Sequence, residues 1–277
     1  MKTKLTQEQI QFYQDNGFLH VPGFLSPAET VELKNAVLES VAAMGKRRLT
    51  GAGKEWDESG ENFYDKVFTQ RINLWRINDT VKRYMLSPAL GKQVCELADV
   101  YGMRVWHDQT LIKEPFANPT AWHLDNPYWS FSSRDAISIW IALEDATLEN
   151  GCMWFVPGSH KIATYENVTI GVNMADLFKL YPKMAEIDPV PVPMKAGDCS
   201  FHNGLAAHGA GANMTRRRRI AMTCGYMPDG CTFNGKRNIL PEDYFKSLKP
   251  GDVLNNDEQN PLLYSAKRQP AEMASSA

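Results

Sequence analysis

Between Asp135 and Leu143 an aliphatic residue falls at every second position. Ile137, Ile139, Ile141 and Leu143 share one face of an extended strand, while Ala136, Ser138, Trp140 and Ala142 share the other. A period of two cannot serve a helix, so the segment is a strand with a greasy back. Its front is a row of small residues around one wide ring. Such a ring suits a cavity wall, although a space-filling core tryptophan would give the same pattern. Short strand-like runs of this kind alternate with turn residues from Met103 to about Met227. The turns include Asn150-Gly151, Pro157-Gly158 and Lys195-Ala196-Gly197-Asp198. Many short strands joined this way predict a β-sandwich or barrel.

The N-terminal third reads differently. Thr6 to Asn16 suits a short helix stopped by Gly17, and Phe18 to Val21 reads as a strand. Ser26 and Glu29 form a capping box for a helix whose stripe is Val31, Leu33, Val37, Leu38 and Val41, ending near Met44. A further helix is expected over Pro88 to Ala98. Residues 45–60 lack periodicity and suit an exposed loop, a candidate active-site lid. After Gln259 the chain ends in small polar residues, and a frayed tail over 261–277 is expected. One domain over 1–260 is the resulting expectation, with N-terminal helices over about 5–100 and a β-rich body over about 101–230.

The 30 basic and 32 acidic residues nearly cancel to a net charge of −2, so no overall field favours a phosphate backbone or an anionic membrane. A small-molecule partner is expected, with neither nucleic acid nor membrane; oligomeric state is unreadable. No apolar run reaches the roughly 18 residues of a membrane span, and Met1 to Gln11 lacks a signal-peptide core, which points to the cytosol. Cys95, Cys152, Cys199, Cys224 and Cys231 form no C-x-x-C pair and read as buried free thiols.

Chemistry concentrates in two places. In Trp122-His123-Leu124-Asp125 an imidazole and a carboxylate lie two residues apart, and on a strand they point to one face, where they can share a metal ion. Downstream, the glycine-rich stretch from Phe201 to Asn213 holds His202 and His208, either of which could supply a second imidazole. Two histidines and a carboxylate leave iron(II) open on one side for an oxo acid and dioxygen; zinc hydrolysis can use similar ligands. Arg216-Arg217-Arg218-Arg219 then runs into Ile220-Ala221-Met222-Thr223-Cys224. Alternation puts Arg219 on a face with Ala221 and Thr223, a niche fitted to grip a carboxylate through two parallel hydrogen bonds. Arg216 to Arg218 read as solvated neighbours.

These residues, in this order, resemble the phytanoyl-CoA dioxygenase family of iron(II)- and 2-oxoglutarate-dependent oxygenases over roughly residues 5–230. Beyond the metal motif, the likeness lies in Phe12-Tyr13-Gln14-Asp15-Asn16-Gly17-Phe18, in Ile139 to Thr147 with Glu149-Asn150-Gly151-Cys152, and in Val156-Pro157-Gly158-Ser159-His160. The resemblance implies a mainly β double-stranded β-helix, a cupin-like jelly roll buttressed by helices. It assigns the metal ligands to His123, Asp125 and His208, the family spacing favouring His208 over His202. Arg219 matches the co-substrate anchor, and Trp140, Gln109 and Lys113 match positions lining the co-substrate pocket. Ala210 departs from the pattern, since relatives often carry a hydroxyl two places after the distal histidine.

The implied reaction consumes 2-oxoglutarate and O2, releases succinate and CO2, and hydroxylates a small metabolite. Asp125 favours hydroxylation, because halogenating relatives carry a small residue there. The competing reading is a non-catalytic, metal-bound cupin-like sensor or ligand-binding protein, with a zinc hydrolase a weaker third. For the substrate side, Asn126, Tyr128 and Trp129 directly follow the metal motif, and Arg71 could meet an anion. The architecture itself does not fix the substrate.

Overall fold

The computed structural model describes residues 1–45 and 66–266. The candidate lid over residues 45–60 lies outside the described residues except for Gly45, as does the chain beyond Ala266.

Helix α1 (Gln7–Asn16) starts at a Thr6 capping box and stops at Gly17 in the left-handed region, with φ of 79°. Strand β1 (Phe18–Val21) follows, then helix α2 (Pro27–Met44), whose Ser26 cap and Glu29 make the expected reciprocal box. The buried side of α2 is Thr30, Leu33, Ala36, Val37 and Ser40, whereas Val31 is exposed, so the stripe is narrower and more polar than its aliphatics suggest. Helices α3 (Asp79–Met85) and α4 (Pro88–Ala98) complete the buttress.

Two antiparallel sheets form the body. The larger contains β1, β2 (Thr69–Ile72), β3 (Gly102–Lys113), β5 (Ile137–Ala142), β8 (Cys199–Asn203), β10 (Arg219–Pro228) and β11 (Leu262–Ser265). Its order is β1-β8-β5-β10-β3-β11, with β2 also on β3. The smaller is β4 (Thr120–His123), β9 (His208–Ala210), β6 (Met153–Phe155) and β7 (Val190–Val192), in that order. The non-sequential orders are those of a jelly roll.

The period-two reading of β5 holds on both faces. Ile137, Ile139, Ile141 and Leu143 join Ile220, Met222, Cys224 and Tyr226 in one apolar cluster with Leu33, Val37, Leu90 and Val94 of the helices. Trp140 and Ala142 belong to a second cluster with Ala146, Phe155, Ala210 and Ala221, between the sheets. Four of the five cysteines are buried, Cys231 is half-buried, and all are free thiols. The opening motif and the Pro157-Gly158 turn meet: Gly158 N–H donates to Asn16 O at 2.9 Å and His160 Nε2 to Gln14 O at 3.1 Å.

Two expected boundaries are corrected. The large sheet recruits β1 and β2 from within the N-terminal 100 residues, so helices and β body interleave along the chain. The frayed tail is not met at Leu262–Ser265, which pair with Gly102, Met103 and Arg104 of β3. Arg104, 4% exposed, adds a second tie by donating to Asp229, Asp257 and Asn260 O. No helix among the described residues is long and apolar enough to cross a membrane. Because Leu263 lies in the helix-side core, Leu263→Ala should cost about 2–3 kcal/mol in urea unfolding. A frayed tail would give no change.

Candidate metal and co-substrate site

His123 ends β4 and His208 opens β9, and the two are direct cross-strand partners, with Phe155 of β6 on the other side of His208. Their rings lie 4.1 Å apart between centroids. Each ring is locked by a local bond: His123 Nδ1 donates to Ala121 O at 2.8 Å and His208 Nδ1 to Ala206 O at 3.0 Å. A carbonyl only accepts, so the proton of each neutral ring sits on Nδ1 and Nε2 keeps its lone pair for an ion. Burial depresses the pKa of both imidazoles, that of His208 strongly.

Asp125, two residues past His123, brings Oδ1 to 3.7 Å from Nε2 of both histidines. Its other oxygen is occupied: Oδ2 accepts from Ser138 Oγ at 2.8 Å and from His202 Nε2 at 3.1 Å. Burial pushes this carboxyl up, but His208, His202 and His123 outweigh it and hold the group well below the usual carboxylate range. One donor atom from each of His123, Asp125 and His208 lies within 4.8 Å of the other two. Two imidazoles and one carboxylate so arranged suit an octahedral ion with open positions.

Between the sheets lie two buried basic side chains. Arg219 opens β10 directly opposite Lys113 of β3. The Arg219 guanidinium carbon sits 5.1 Å from the centre of the Trp140 ring. Nε and Nη1 of Arg219 and Nε1 of Trp140 are buried with no hydrogen-bond partner among the described residues. An orphaned pair of guanidinium donors beside a buried lysine fits a carboxylate ligand, because buried polar groups are otherwise almost always paired. Lys113 Nζ donates to Asn118 O at 2.5 Å, and burial, then Arg219, pushes its pKa down to about 6. Burial likewise lowers Arg219 to about 10. Gly151, at φ of 91°, leaves room for the lysine: a Cβ there would stand 2.9 Å from Lys113 Cδ. Gln109 faces the same side and accepts from Gln70 Nε2.

The four expected substrate residues separate. Trp129 packs in the apolar cluster of Trp106, Phe131 and Phe233: its ring occupies space beside Gly225, where a Cβ would lie 3.0 Å from it, and meets His107 edge-on at 6.4 Å. Asn126 is fully buried and closes a turn, accepting from Ser133 N–H and donating to Phe131 O. Tyr128 ties down the chain near Ile170, donating to Val168 O at 2.5 Å and accepting from Ile170 N–H. Arg71 is turned away. It pairs with Thr110 on the helix side of the large sheet and gives its guanidinium to Gly45 O and Gln70 O. Sequence reasoning missed Ser138 and weighed His202 as a rival imidazole to His208; their joint hold on Asp125 depends on the β5–β8 pairing, which no local pattern reveals.

Fold and donor set together define a class, the non-haem iron- and 2-oxoglutarate-dependent oxygenases. Residues 13–221 match the family model described as phytanoyl-CoA dioxygenase (PhyH), and the chain belongs to that family. A phytanoyl-CoA dioxygenase of Arabidopsis thaliana is 26% identical over 258 residues, covering 82% of this chain and 90% of that protein. Among solved structures, the non-haem α-ketoglutarate-dependent carbocyclase SnoK from nogalamycin biosynthesis superimposes with a TM-score of 0.77. It is 29% identical and the match covers 94% of this chain and 97% of that one. The epimerase SnoN, solved with Fe3+, α-ketoglutarate and a nogalamycin ligand, gives 0.73 at 27% identity, covering 93% and 98%. The chain is thus an oxidoreductase that uses iron(II), 2-oxoglutarate and O2 to oxidise a small molecule.

The double hold on Asp125 Oδ2 carries a prediction about metal affinity. Ser138→Ala and His202→Phe should each weaken iron(II) binding by about 10–100-fold in an anaerobic titration, with the fold intact by circular dichroism. Unchanged affinity would mean that Asp125 needs neither partner.

Proposed function

We propose that His123, Asp125 and His208 hold the iron(II), that Arg219 anchors the far carboxylate of 2-oxoglutarate, and that residues 1–260, together with the β11 strand that joins their sheet, act as one oxygenase domain. The observation that carries this reading is the pair of buried, partnerless Arg219 nitrogens on the same inner side as the His-Asp-His donors. Trp140, Lys113 and Gln109 complete the walls of the co-substrate pocket. Bound iron(II) supplies the redox chemistry: the oxo acid and O2 become succinate and CO2 as one oxygen atom enters a substrate C–H bond. The residues do the rest. Ser138 and His202 aim the Asp125 carboxylate, while the Ala121 and Ala206 carbonyls aim the two imidazoles. Trp140, Ala142, Ala221 and Phe155 keep the interior dry, which strengthens every polar contact made there.

A carboxylate at the third ligand position supports hydroxylation as the outcome. Trp129 lines the substrate side. Commitment of Arg71 to Gly45 and Gln70 removes one candidate cation and supports a small metabolite without a large anionic group. Near-zero net charge supports a protein that binds neither nucleic acid nor membrane, and five free thiols support residence in the reducing cytosol.

The test is succinate formation. Protein loaded anaerobically with iron(II), then given O2 and 2-oxoglutarate, should make succinate slowly without a second substrate. His208→Ala should abolish it, and Arg219→Ala should raise the 2-oxoglutarate requirement by about 30-fold or more, the loss of a buried charged pair being worth about 2 kcal/mol or more. Bound iron with no succinate from wild type would instead favour the sensor reading.

Lys113 gives a second readout. With its pKa held to about 6 in the free protein, it is neutral near pH 8. An arriving carboxylate offsets Arg219 and raises that pKa, so binding takes up a proton at pH values above about 6 and none well below it. Calorimetry at pH 8 in buffers of differing ionisation enthalpy should register the uptake, and Lys113→Met should remove it.

A further inference from the structure

The arginines that precede Arg219 take no part in the site. Arg216, Arg217 and Arg218 all stand in solvent, and none forms an ion pair among the described residues. Their loop is braced from inside. Asn213, fully buried, donates through Nδ2 to Arg217 O at 2.7 Å and to Glu114 O at 2.9 Å, and Arg217 N–H donates to Thr215 Oγ1 at 3.3 Å. Two backbone bonds tie the same loop to its neighbours: Asn213 N–H donates to Ala117 O at 2.9 Å and Met214 N–H to Glu149 O at 2.7 Å. Each of the three loops carries a large apolar side chain into water. Phe116 is 65% exposed, Leu148 55% and Met214 71%. Phe116 also sits at φ of 59°, in the left-handed region that a bulky residue rarely adopts. Neither the strain nor the exposure serves the core, so both point to a contact outside the fold.

A single exposed apolar side chain is ordinary, but three on adjoining loops beside three unpaired guanidinium groups are not. Phenylalanine, methionine and arginine are also the types enriched where proteins meet. Two acids share these loops and are engaged elsewhere. Glu114 accepts from Thr69 Oγ1 at 3.4 Å, and Glu149 accepts from the Thr147 side chain, which holds its carboxyl below the usual carboxylate range. We propose that this patch is a docking surface for an acidic protein segment that carries aromatic or aliphatic side chains. Its carboxylates meet Arg216, Arg217 and Arg218, and its apolar groups cover Phe116, Leu148 and Met214. Charge complementarity selects that occupant. An extended polyanion, whether DNA or an anionic bilayer, would face the rest of the molecule as well, and without these three arginines the 30 basic residues fall further short of the 32 acidic ones. A short segment covers the patch alone. The braced loops favour its capture, because little freedom is lost on binding.

The test selects a phage-displayed random dodecapeptide library on the full chain, with counter-selection against a triple variant, Arg216→Glu with Arg217→Glu and Arg218→Glu. The enriched consensus should combine Asp or Glu with Phe, Trp, Leu or Met. A fluorescently labelled peptide of that consensus is then titrated by anisotropy. Its affinity should fall about tenfold or more in the triple variant, and about fivefold or more in Phe116→Gly combined with Met214→Ser. Glycine suits the left-handed position, so the second variant keeps the fold, and both variants should retain the wild-type circular dichroism. No enriched sequence, a neutral or basic consensus, or a peptide that binds equally well with its apolar residues changed to serine would overturn the proposal. Tighter association with duplex DNA, or with vesicles of phosphatidylserine and phosphatidylcholine in equal parts, would also overturn it. So would self-association of the chain in light scattering that the triple variant abolishes, since the occupant would then be a second copy.

Discussion

The site depends on one carboxylate shared between two sheets. Asp125 leaves the small sheet just after β4, yet its Oδ2 is held by Ser138 of β5 and His202 of β8, both on the large sheet. Its Oδ1 faces the two imidazoles of the small sheet. An acceptor bonded on one oxygen by two donors has little freedom to rotate, so the other oxygen is fixed where an ion needs it. Closure of the jelly roll and aiming of the metal ligand are therefore the same event. Neither sheet could assemble the site alone.

The interior next to this centre costs stability in the free protein. Arg219 and Lys113 face each other across β10 and β3 with little water to shield them, and desolvation of two like charges is expensive. The chain eases the conflict by asymmetry. Lys113 gives up its proton readily, at a pKa of about 6, while Arg219, at about 10, stays charged over the Trp140 ring. One cation remains with donors unpaired among the described residues, an arrangement that fits a dicarboxylate. Ligand binding then returns stability that the polar interior withheld.

Legibility in the sequence followed the range of the interactions. The faces of β5, the capping box of α2 and the Gly17 stop of α1 are set by residues within a few positions of one another, and each was readable; His123 and Asp125 do converge, though Asp125 lies beyond the end of β4 and not on the strand. The choice of His208 over His202 was not readable from spacing alone, because both lie on inner faces; the resemblance decided it, and the bond from His202 to Asp125 shows what the other histidine does. Ser138 looked like a small residue on a strand until β5 met β8. Arg71 looked like an anion binder because its strand, β2, lacks a strong local signal. Only the pairing with β3 reveals that alternation sends Gln70 inward and Arg71 toward α2. Leu262–Ser265 were missed for a related reason: a short edge strand is made by the partner that accepts it.

The same pairing explains why the substrate stays harder to read than the metal. Across the large sheet, His202, Ser138, Gly225 and His107 fall in one lateral row. One end of that row grips Asp125. At the other, His107 stands edge-on to Trp129, whose ring fills the space that Gly225 leaves. Burial holds His107 down to about 4, so it is a neutral ring at working pH. The row thus joins a fixed ligand clamp to a wall built from a glycine, an imidazole and an indole drawn from three separate segments. None of those three residues makes the hydrogen bonds that hold Asp125, so the clamp and this wall are built from different side chains.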